Sequence, residues 1–302
     1  MDKAKEVTVI GAGPAGIAAA IYLKRAGHDP LLLDKKGPGG LIVNANLIEN
    51  YPGFPGGIDG PSLRNRFVEQ MQSLGVSVTR AHVKRISRVH KIFRVETDNG
   101  DYDSLVIIVA TGTRPKRIRM KGAKALEGKK VFYDLEGVLA NNIVDGRIIV
   151  VGGGDIAFDY AINLRERGWK VKIVSRSTPR CLPLLWKRAE EKGIDVLVGY
   201  SPVEVLDKDD SLVLLCNSHG ESKEVEGDRL LIACGRVPNL EVLDSRLRRN
   251  LWRRGLPETG VPGLYLVGDV ARKRYRQAGI AVGDGILAAM MADSYLKKGG
   301  RR

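Results

Sequence analysis

The sequence contains one local pattern twice, and this repeat constrains the fold more than any other feature. The pattern is a short apolar strand, a glycine-rich loop, a helix and a second apolar strand, which together open a dinucleotide-binding βαβ unit. These segments are residues 7–10, 11–16, 17–25 and 30–33 in the first copy, and residues 147–151, 152–157, 158–167 and 170–174 in the second. The repeat predicts an α/β protein with two Rossmann-like dinucleotide-binding domains.

Each copy continues with alternating strands that lead into a short apolar strand. The alternating strands are expected at residues 93–97, 104–110, 203–207 and 212–216. Both series end in a small-residue signature, residues 110–115 (ATGTRP) and 233–238 (ACGRVP). Residues 263–269 and a helix at about 278–296 remain, and because they are too short to fold alone we expect them to return to the first domain. The predicted architecture is a three-layer ββα fold in which a domain of residues 116–238 is inserted into a domain of residues 1–115 and 239–302.

The first glycine loop has the residue types that a dinucleotide pyrophosphate needs. Gly11 permits a tight turn, Gly13 lets backbone N–H groups approach the phosphates, and Gly16 allows close packing of helix on strand. The N-terminus of the following helix adds partial positive charge. Asp34 lies 23 residues after Gly11 and is placed to accept hydrogen bonds from a ribose diol. A glycine-rich turn without a ligand is the alternative.

The second loop differs from the first at its third glycine and at the end of its second strand. Ala157 replaces the third glycine, and the strand ends in Ser175 and Arg176 instead of an acidic residue. Arg176, together with Arg180, suits a 2′-phosphate better than a free hydroxyl, which favours NADPH over NADH. The alternative is that both arginines are solvent-facing loop residues. Two nucleotide sites in one chain indicate a flavin that stays bound and a nicotinamide nucleotide that exchanges.

The composition disfavours several other classes of protein. Hydrophobic residues make up 43% of the chain and charged residues 28%, which is ordinary for a globular enzyme. No apolar run approaches the ~20 residues of a membrane span, and the N-terminus carries no secretory signal, so a cytoplasmic location is expected. The three cysteines, Cys181, Cys216 and Cys234, form neither a CxxC motif nor a zinc-ligand spacing, so no metal site is expected.

The chain is strongly basic, with 49 Lys and Arg against 35 Asp and Glu and a formal net charge of +14. Such a charge favours an acidic partner or an anionic surface. It concentrates at residues 246–254 and in a tail containing Lys297, Lys298, Arg301 and Arg302. A solvated basic surface and a frayed tail are the simpler interpretation. Nucleic-acid binding is disfavoured because no recognition helix, aromatic stacking motif or zinc spacing accompanies the charge.

Several motifs together resemble the thioredoxin reductase family, over nearly the whole chain and in the family's order. They are residues 11–16, Gly39-Gly40, residues 49–53 (ENYPG), residues 110–112 (ATG), the Gly152 loop, Gly268-Asp269 and residues 276–278 (RQA). The resemblance implies FAD in the domain of residues 1–115 and 239–302, NADPH or NADH in the domain of residues 116–238, and a homodimer built largely through the FAD domains. From the residues alone, Asp269 could instead be a helix cap and Asn50 a turn residue.

The resemblance also implies a set of cofactor-binding residues. Those for FAD are Gly11, Gly13, Pro14, Ala15, Gly16, Asp34, Lys35, Gly40, Leu41, Asn50, Val83, Ala110, Thr111, Gly112, Gly268, Asp269, Arg276, Gln277 and Ala278. Those for NAD(P)H are Gly152, Gly154, Asp155, Ile156, Ala157, Ser175, Arg176, Arg180 and Gly235. No catalytic side chain is expected, since the flavin is the redox centre.

The chain departs from the family at its redox centre. Counting back from Gly152 places the family's CxxC at residues 135–138, which are Leu-Glu-Gly-Val here and cannot carry out thiolate exchange. Leu41 stands where the family commonly has glutamine, and Ser177 interrupts the basic motif of the second domain. Gly154-Asp155 and the region of Tyr133 are instead similar to the thioredoxin-reductase-like ferredoxin:NADP reductases, which lack the thiol pair but carry a C-terminal extension that this sequence does not show.

The sequence therefore predicts a flavoenzyme that passes electrons from NAD(P)H through FAD to an external acceptor. A basic surface favours an acidic electron-carrier protein such as ferredoxin or flavodoxin. The alternatives are an NAD(P)H oxidase, a reductase of small quinones or disulfides, and a flavin-binding regulatory protein that does not react with NAD(P)H.

Overall fold

The computed structural model describes residues 4–140, 146–251, 257–272 and 274–299. The chain divides into two compact units. Unit 1 consists of Met1–Val43, Ile48–Arg114 and Val237–Arg302, and unit 2 consists of Asn44–Leu47 and Pro115–Arg236. Within the described ranges, no helix is long and apolar enough to cross a lipid bilayer.

The secondary-structure elements are numbered in chain order. The strands are β1 Lys5–Ile10, β2 Leu31–Asp34, β3 Val78–Arg80, β4 Val83–Val89, β5 Ile92–Thr97, β6 Asp101–Val109, β7 Thr113–Pro115, β8 Val131–Phe132, β9 Arg147–Val151, β10 Lys170–Ser175, β11 Asp195–Val198, β12 Ser201–Asp207, β13 Leu212–Ser218, β14 Glu221–Gly227, β15 Arg229–Ile232, β16 Arg236–Pro238 and β17 Leu264–Leu266. The helices are α1 Pro14–Arg25, α2 Gly60–Ser73, α3 Leu135–Leu139, α4 Asp155–Glu166, α5 Pro183–Glu191, α6 Ser245–Arg248 and α7 Ala278–Lys297, and two 3₁₀ turns span Gly40–Asn44 and Gly268–Val270.

Unit 1 is built on a sheet of strand order β3-β2-β1-β6-β5-β4. β1, β2, β3 and β6 run parallel, and β17 adds to the last three residues of β6, also in parallel. β4, β5 and the first half of β6 form an antiparallel meander. The chain thus returns after residue 237 to complete the sheet that it began at β1.

The central strand β6 is buried on both faces, which explains its continuous apolar run. Val106 and Ile108 lie in a hydrophobic cluster with residues of α1 and α7. Ile107 and Val109 face the other way, into a cluster that includes Phe93 of the meander. Helices on one side and a β-meander on the other give unit 1 the predicted three-layer ββα arrangement.

Unit 2 has the same plan. Its parallel sheet has the strand order β11-β10-β9-β15-β8, and β12, β13 and β14 form a separate antiparallel sheet. α4 packs on one side of β9, where Ile148 and Val150 join Phe158 in a hydrophobic cluster. Ile149 and Val151 belong to a second cluster with Leu214 of β13. The repeat in the sequence therefore corresponds to a repeat in the structure.

Both loop-following helices begin earlier than the sequence pattern predicts. α1 begins at Pro14 rather than residue 17, because proline is well suited to the first turn of a helix. α4 begins at Asp155 rather than residue 158. The last loop residues are therefore the first helical residues, which brings each helix N-terminus closer to the glycines. Residues 252–254 of the predicted basic segment, together with Arg301 and Arg302, lie outside the described residues.

Candidate functional site

The first glycine loop is packed so tightly that only glycine fits at two of its positions. Gly11 has a positive φ of 104°, and a Cβ there would lie 2.4 Å from the backbone oxygen of Ala110. A Cβ on Gly16 would lie 1.8 Å from the backbone oxygen of Gly11. The loop therefore joins the end of β1, the start of α1 and residue 110 without any side chain between them.

The N-terminus of α1 has no side-chain cap. Its cap residue Gly13 makes no side-chain cap hydrogen bond, and the first turn contains no acidic residue. A Cβ placed on Gly40 would lie 3.1 Å from the Cα of Gly13, so these two glycines approach closely. Helical N–H groups without a side-chain cap are ready donors to an anion. The geometry therefore fits a pyrophosphate group.

Asp34, at the end of β2, holds the loop together. Its carboxylate accepts backbone N–H bonds from Ala12 at 2.8 Å, from Lys36 at 2.8 Å and from Gly37 at 3.0 Å. The sequence predicted only a ribose contact for this residue, and the structural role was missed. A carboxylate has about four lone-pair positions, so these three bonds leave one acceptor position for a ribose hydroxyl.

The small residues after β6, at positions 110–112, are hydrogen-bonded to Asn239, which lies more than a hundred positions later in the chain. The Thr111 hydroxyl donates to the backbone oxygen of Asn239 at 2.7 Å, and the Asn239 amide donates back to the Thr111 carbonyl at 2.9 Å. The backbone N–H of Asn239 also donates to Gly112 at 3.0 Å. These bonds define the path of residues 110–112 beside the first glycine loop.

A partly buried ion pair, which the sequence analysis did not identify, supports the turn at Gly268. Asp284 of α7 is only 7% exposed and pairs with Arg272 through two bonds of 2.6 and 3.0 Å. Its Oδ2 atom also accepts the backbone N–H of Gly268 at 3.2 Å. The hydrogen bond to Asp284 raises the pKa of Arg272, so the guanidinium stays charged. An acidic residue within the apolar sequence of α7 was the signal that could have revealed it.

Two of the predicted flavin-ring residues meet in space. The Asn50 side-chain amide donates to the side-chain oxygen of Gln277 at 3.0 Å, although the two are 227 residues apart. Gln277 is the cap residue of α7, and Arg276 just before it donates to the backbone oxygen of Arg272 at 2.9 Å. The structure thus brings Asn50 and the start of α7 to one place in unit 1.

The other predicted FAD residues of unit 1 occupy different surroundings. Leu41 lies in the 3₁₀ turn at Gly40–Asn44 and is half-buried, whereas Lys35 is exposed. Val83 is buried at the start of β4, in the same cluster as Ile10 and Leu33. Asp269 lies within the 3₁₀ turn Gly268–Val270 rather than at its cap, which is Val267.

The second glycine loop repeats the packing of the first in unit 2. Gly152 has a φ of 155°, and a Cβ there would lie 2.7 Å from the backbone oxygen of Ala233 and 2.9 Å from the Cβ of Ala157. Gly154 caps α4 without a side-chain hydrogen bond, and a Cβ on it would meet no atom within 4 Å. Packing therefore constrains Gly152, whereas Gly154 borders open space.

A loop of residues 175–182 lies against the start of α4. The backbone N–H of Arg180 donates to the Gly153 carbonyl at 2.7 Å, and that of Leu182 donates to the Asp155 carboxylate at 2.9 Å. The hydroxyl of Ser175 is used within the loop, since it donates to the Ser177 carbonyl at 2.7 Å. Arg176 and Arg180 are exposed at either end of this loop.

The remaining predicted NAD(P)H residues lie around the same helix start. Ile156 is 41% exposed on the first turn of α4, and Ala157 is fully buried beneath it. Gly235 has a positive φ of 99° in the turn after β15. An uncapped helix N-terminus, an open glycine and two exposed arginines fit a phosphorylated nucleotide.

The three cysteines are free. Burial raises the pKa of all three thiols, to about 11 for Cys216. Residues 135–138, where the family's CxxC is expected, lie in α3, with Leu135 and Val138 buried. Asp134 caps this helix by accepting the backbone N–H of Gly137 at 3.0 Å.

Each unit therefore combines a parallel sheet, a glycine loop at a helix N-terminus and an antiparallel sheet, which together define a protein with two dinucleotide-binding domains. Residues 5–285 match the model of the pyridine nucleotide-disulphide oxidoreductase family. Thioredoxin reductase of Bacillus subtilis is 30% identical, over 98% of this chain and 96% of that protein. Thioredoxin reductase 2 of Arabidopsis thaliana is 31% identical, over 97% and 82%.

Solved structures agree with these sequence relatives. Thioredoxin reductase of Lactococcus lactis superimposes with a TM-score of 0.88 at 30% identity, covering 97% of this chain and 99% of that one. The T. acidophilum thioredoxin reductase gives 0.85 at 29% identity, covering 96% and 97%. The chain belongs to the pyridine nucleotide-disulphide oxidoreductase family and is of the thioredoxin reductase type. It is an FAD-dependent oxidoreductase, and FAD and NADPH are the cofactors of the family.

Proposed function

We propose that this enzyme passes electrons from NAD(P)H through FAD to an acceptor outside the chain, without a redox-active disulfide. The acceptor is an acidic electron-carrier protein such as ferredoxin or flavodoxin. The observation that carries the proposal is the pairing of two cofactor-type sites with cysteines that form no CxxC motif. Thiol exchange requires a thiolate, and burial raises the pKa of all three thiols.

Unit 1 would hold FAD. The N-terminus of α1 with Gly11, Gly13 and Gly16 would bind the pyrophosphate, and Asp34 a ribose. Asn50 and Gln277 would lie against the flavin ring, which supplies two-electron redox chemistry when bound. The further residues of this proposed site are Pro14, Ala15, Lys35, Gly40, Leu41, Val83, Ala110, Thr111, Gly112, Gly268, Asp269, Arg276 and Ala278.

Unit 2 would hold NAD(P)H at the N-terminus of α4. The open space beside Gly154 leaves room for the phosphates, and the exposed Arg176 and Arg180 suit a 2′-phosphate. These arginines favour NADPH, although Ser177 contributes no charge there. The proposed site also includes Gly152, Asp155, Ile156, Ala157, Ser175 and Gly235.

The proposal includes a homodimer and a cytoplasmic location. α7 carries four large apolar side chains on its solvent-facing side, Ile280, Ile286, Leu287 and Met290, each between 38% and 46% exposed. Ile286 and Leu287 lie six and seven residues after Ile280, and Met290 lies four and three residues after them. These spacings place all four side chains on one face of the helix. An apolar face of this kind is typical of a subunit interface, and a second copy would cover it with the same residues.

The test is an anaerobic titration of the purified yellow protein with NADPH and, separately, NADH, followed at the flavin absorption band. We expect NADPH to bleach the flavin, and oxidised ferredoxin to restore the band at a rate that falls as salt is added. A flavin that neither nucleotide bleaches would indicate a regulatory flavoprotein instead. Restoration only by oxygen, quinones or small disulfides would indicate a small-molecule reductase, and rapid reduction of thioredoxin would contradict the proposal.

A further inference from the structure

The loop that leads into α7 combines positive charge with an exposed aromatic ring. It spans residues 271–277 (ARKRYRQ), all described except residue 273. Tyr275 is 63% exposed, more than any other large apolar side chain in the described part of the chain. Tyrosine and arginine are enriched among the residues that carry most of the binding energy at protein interfaces.

Arg274 presents its charge beside this ring. Its guanidinium carbon lies 4.9 Å from the centre of the Tyr275 ring, and its Nη2 donates to the tyrosine hydroxyl at 2.7 Å. Arg272 nearby is paired with Asp284, whereas no carboxylate among the described residues forms an ion pair with Arg274. The Arg274 guanidinium is therefore oriented and free to pair with a carboxylate from another molecule.

Arg274 and Tyr275 lie close in sequence to the proposed flavin site. They lie three and two residues before Gln277, whose side chain is bonded to Asn50 at the proposed flavin ring. Three residues span at most about 11 Å of extended chain, so the Cα atom of Arg274 lies within about 11 Å of the Cα atom of Gln277. An electron carrier has to come close to the flavin, and this loop directly precedes the residue proposed to lie against the flavin ring.

The charge of unit 1 as a whole supports an acidic partner. Unit 1 contains 28 Lys and Arg against 17 Asp and Glu, whereas unit 2 contains 21 against 18. Of the net charge of +14, +11 therefore belongs to the unit that carries the proposed flavin site. Such a field increases the rate at which a negatively charged protein reaches this unit.

We propose that Arg274 and Tyr275 form the docking site for the electron acceptor, and that this acceptor is a small protein with carboxylates around its redox centre. The inference rests on the proposed function. Each NAD(P)H is oxidised to NAD(P)⁺ with release of one proton, and its two electrons reduce two carrier molecules by one electron each. Arg274 pairs with a carboxylate of the carrier, and Tyr275 packs against its surface.

The experiment compares NADPH-dependent reduction of three acceptors by the FAD-loaded enzyme. They are a plant-type ferredoxin as the acidic carrier, cytochrome c as a basic carrier, and the neutral quinone menadione. The variants are Arg274→Glu and Tyr275→Ala, and the matched control is Arg249→Glu. Arg249 is exposed at the end of α6, and its substitution changes the net charge by the same amount as Arg274→Glu.

At low salt we expect kcat/KM for ferredoxin to fall about tenfold in Arg274→Glu and about fivefold in Tyr275→Ala, but less than about twofold in Arg249→Glu. The Arg274→Glu deficit should shrink as salt is added. Menadione rates should stay unchanged in all three variants, and cytochrome c should react no more slowly with Arg274→Glu than with the wild type.

Three results would overturn the docking site. Equal slowing by Arg274→Glu and Arg249→Glu would mean that net charge, not this loop, controls association. Unchanged ferredoxin kinetics in both loop variants would place the docking surface elsewhere. Parallel loss with all three acceptors would mean that the loop only supports the flavin site. By contrast, a wild type that reduces menadione but not ferredoxin would contradict the proposed acceptor itself, before any variant is compared.

Discussion

At the residue scale, His28 connects three parts of unit 1. Its ring nitrogens lie 2.9 Å from Glu6 of β1 and 2.9 Å from Asp293 of α7, and Asp293 also pairs with Lys297 at 2.8 Å. Both ring nitrogens can donate only when the ring is protonated. Burial lowers the pKa of His28, but the hydrogen bonds and charges of the two carboxylates outweigh it, so the pKa is raised above the usual 6.5.

This arrangement predicts a pH-dependent stability. Because the pKa is higher in the folded state, the stabilisation by His28 is fully present below pH 6.5 and is lost as the pH rises through the folded-state pKa. We expect His28→Gln to give a flatter dependence of the unfolding free energy between about pH 5 and about pH 9. Urea unfolding at several pH values measures it, with His219→Gln, in an exposed turn, as control. Identical slopes for His28→Gln and wild type would contradict the role of His28.

Local spacing carries enough information to predict the geometry of the first glycine loop. Gly11, Gly13 and Gly16 follow from their fixed positions between a strand and a helix. The Asp284–Arg272 pair and the Asn50–Gln277 contact do not follow from spacing, because they depend on how distant segments pack. The resemblance to a family suggested Asn50 and Gln277, but neither motif nor spacing suggested Asp284.

At the scale of elements, two glycines before α4 differ in role. Gly152 is constrained by packing, and Gly154 borders the space proposed for the nucleotide. A Cβ at Gly152 would collide with the Ala233 carbonyl at 2.7 Å, whereas a Cβ at Gly154 would meet nothing within 4 Å. We expect Gly152→Ala to destabilise the protein by about 2 kcal/mol through overpacking. Gly154→Ala should leave the melting temperature unchanged but raise the KM for NADPH, because the added methyl group occupies the space proposed for the phosphates.

Thermal unfolding together with steady-state kinetics distinguishes the two variants. If Gly154→Ala lowers the melting temperature as much as Gly152→Ala, the open space beside Gly154 has a structural role instead. If it changes neither the melting temperature nor the KM, the nucleotide does not bind at this helix N-terminus.

The apolar face of α7 predicts the oligomeric state. Placing a charge at Leu287, which is 45% exposed at the centre of that face, should convert a dimer to a monomer. Light scattering after gel filtration of Leu287→Glu measures this, and Gln70→Glu, at an exposed position of α2, adds the same charge elsewhere. A wild type that is monomeric, or a Leu287→Glu variant that stays dimeric, would contradict an α7 interface.

At the scale of the whole molecule, the repeat in the sequence was enough to predict two Rossmann-like units, because strand and helix periodicities are local. The start points of α1 and α4 were predicted three residues too late, since the pattern assigns loop glycines and proline to the loop rather than to the first helical turn. The uneven charge of the two units follows equally from the predicted boundaries, because residues 116–238 contain the same 21 Lys and Arg and 18 Asp and Glu as unit 2. Of these features, only the uneven charge bears on the electron acceptor, because docking depends on surface chemistry rather than on fold.

The central claim is that the flavin is the only redox centre of this enzyme. Anaerobic titration with dithionite, with the electrons counted per bound FAD, tests it most directly. The structure predicts two electrons per FAD and three titratable thiols in the unfolded oxidised protein, because Cys181, Cys216 and Cys234 are all free. An uptake of four electrons per FAD, with two thiols appearing only after reduction, would show a redox-active disulfide and contradict the account.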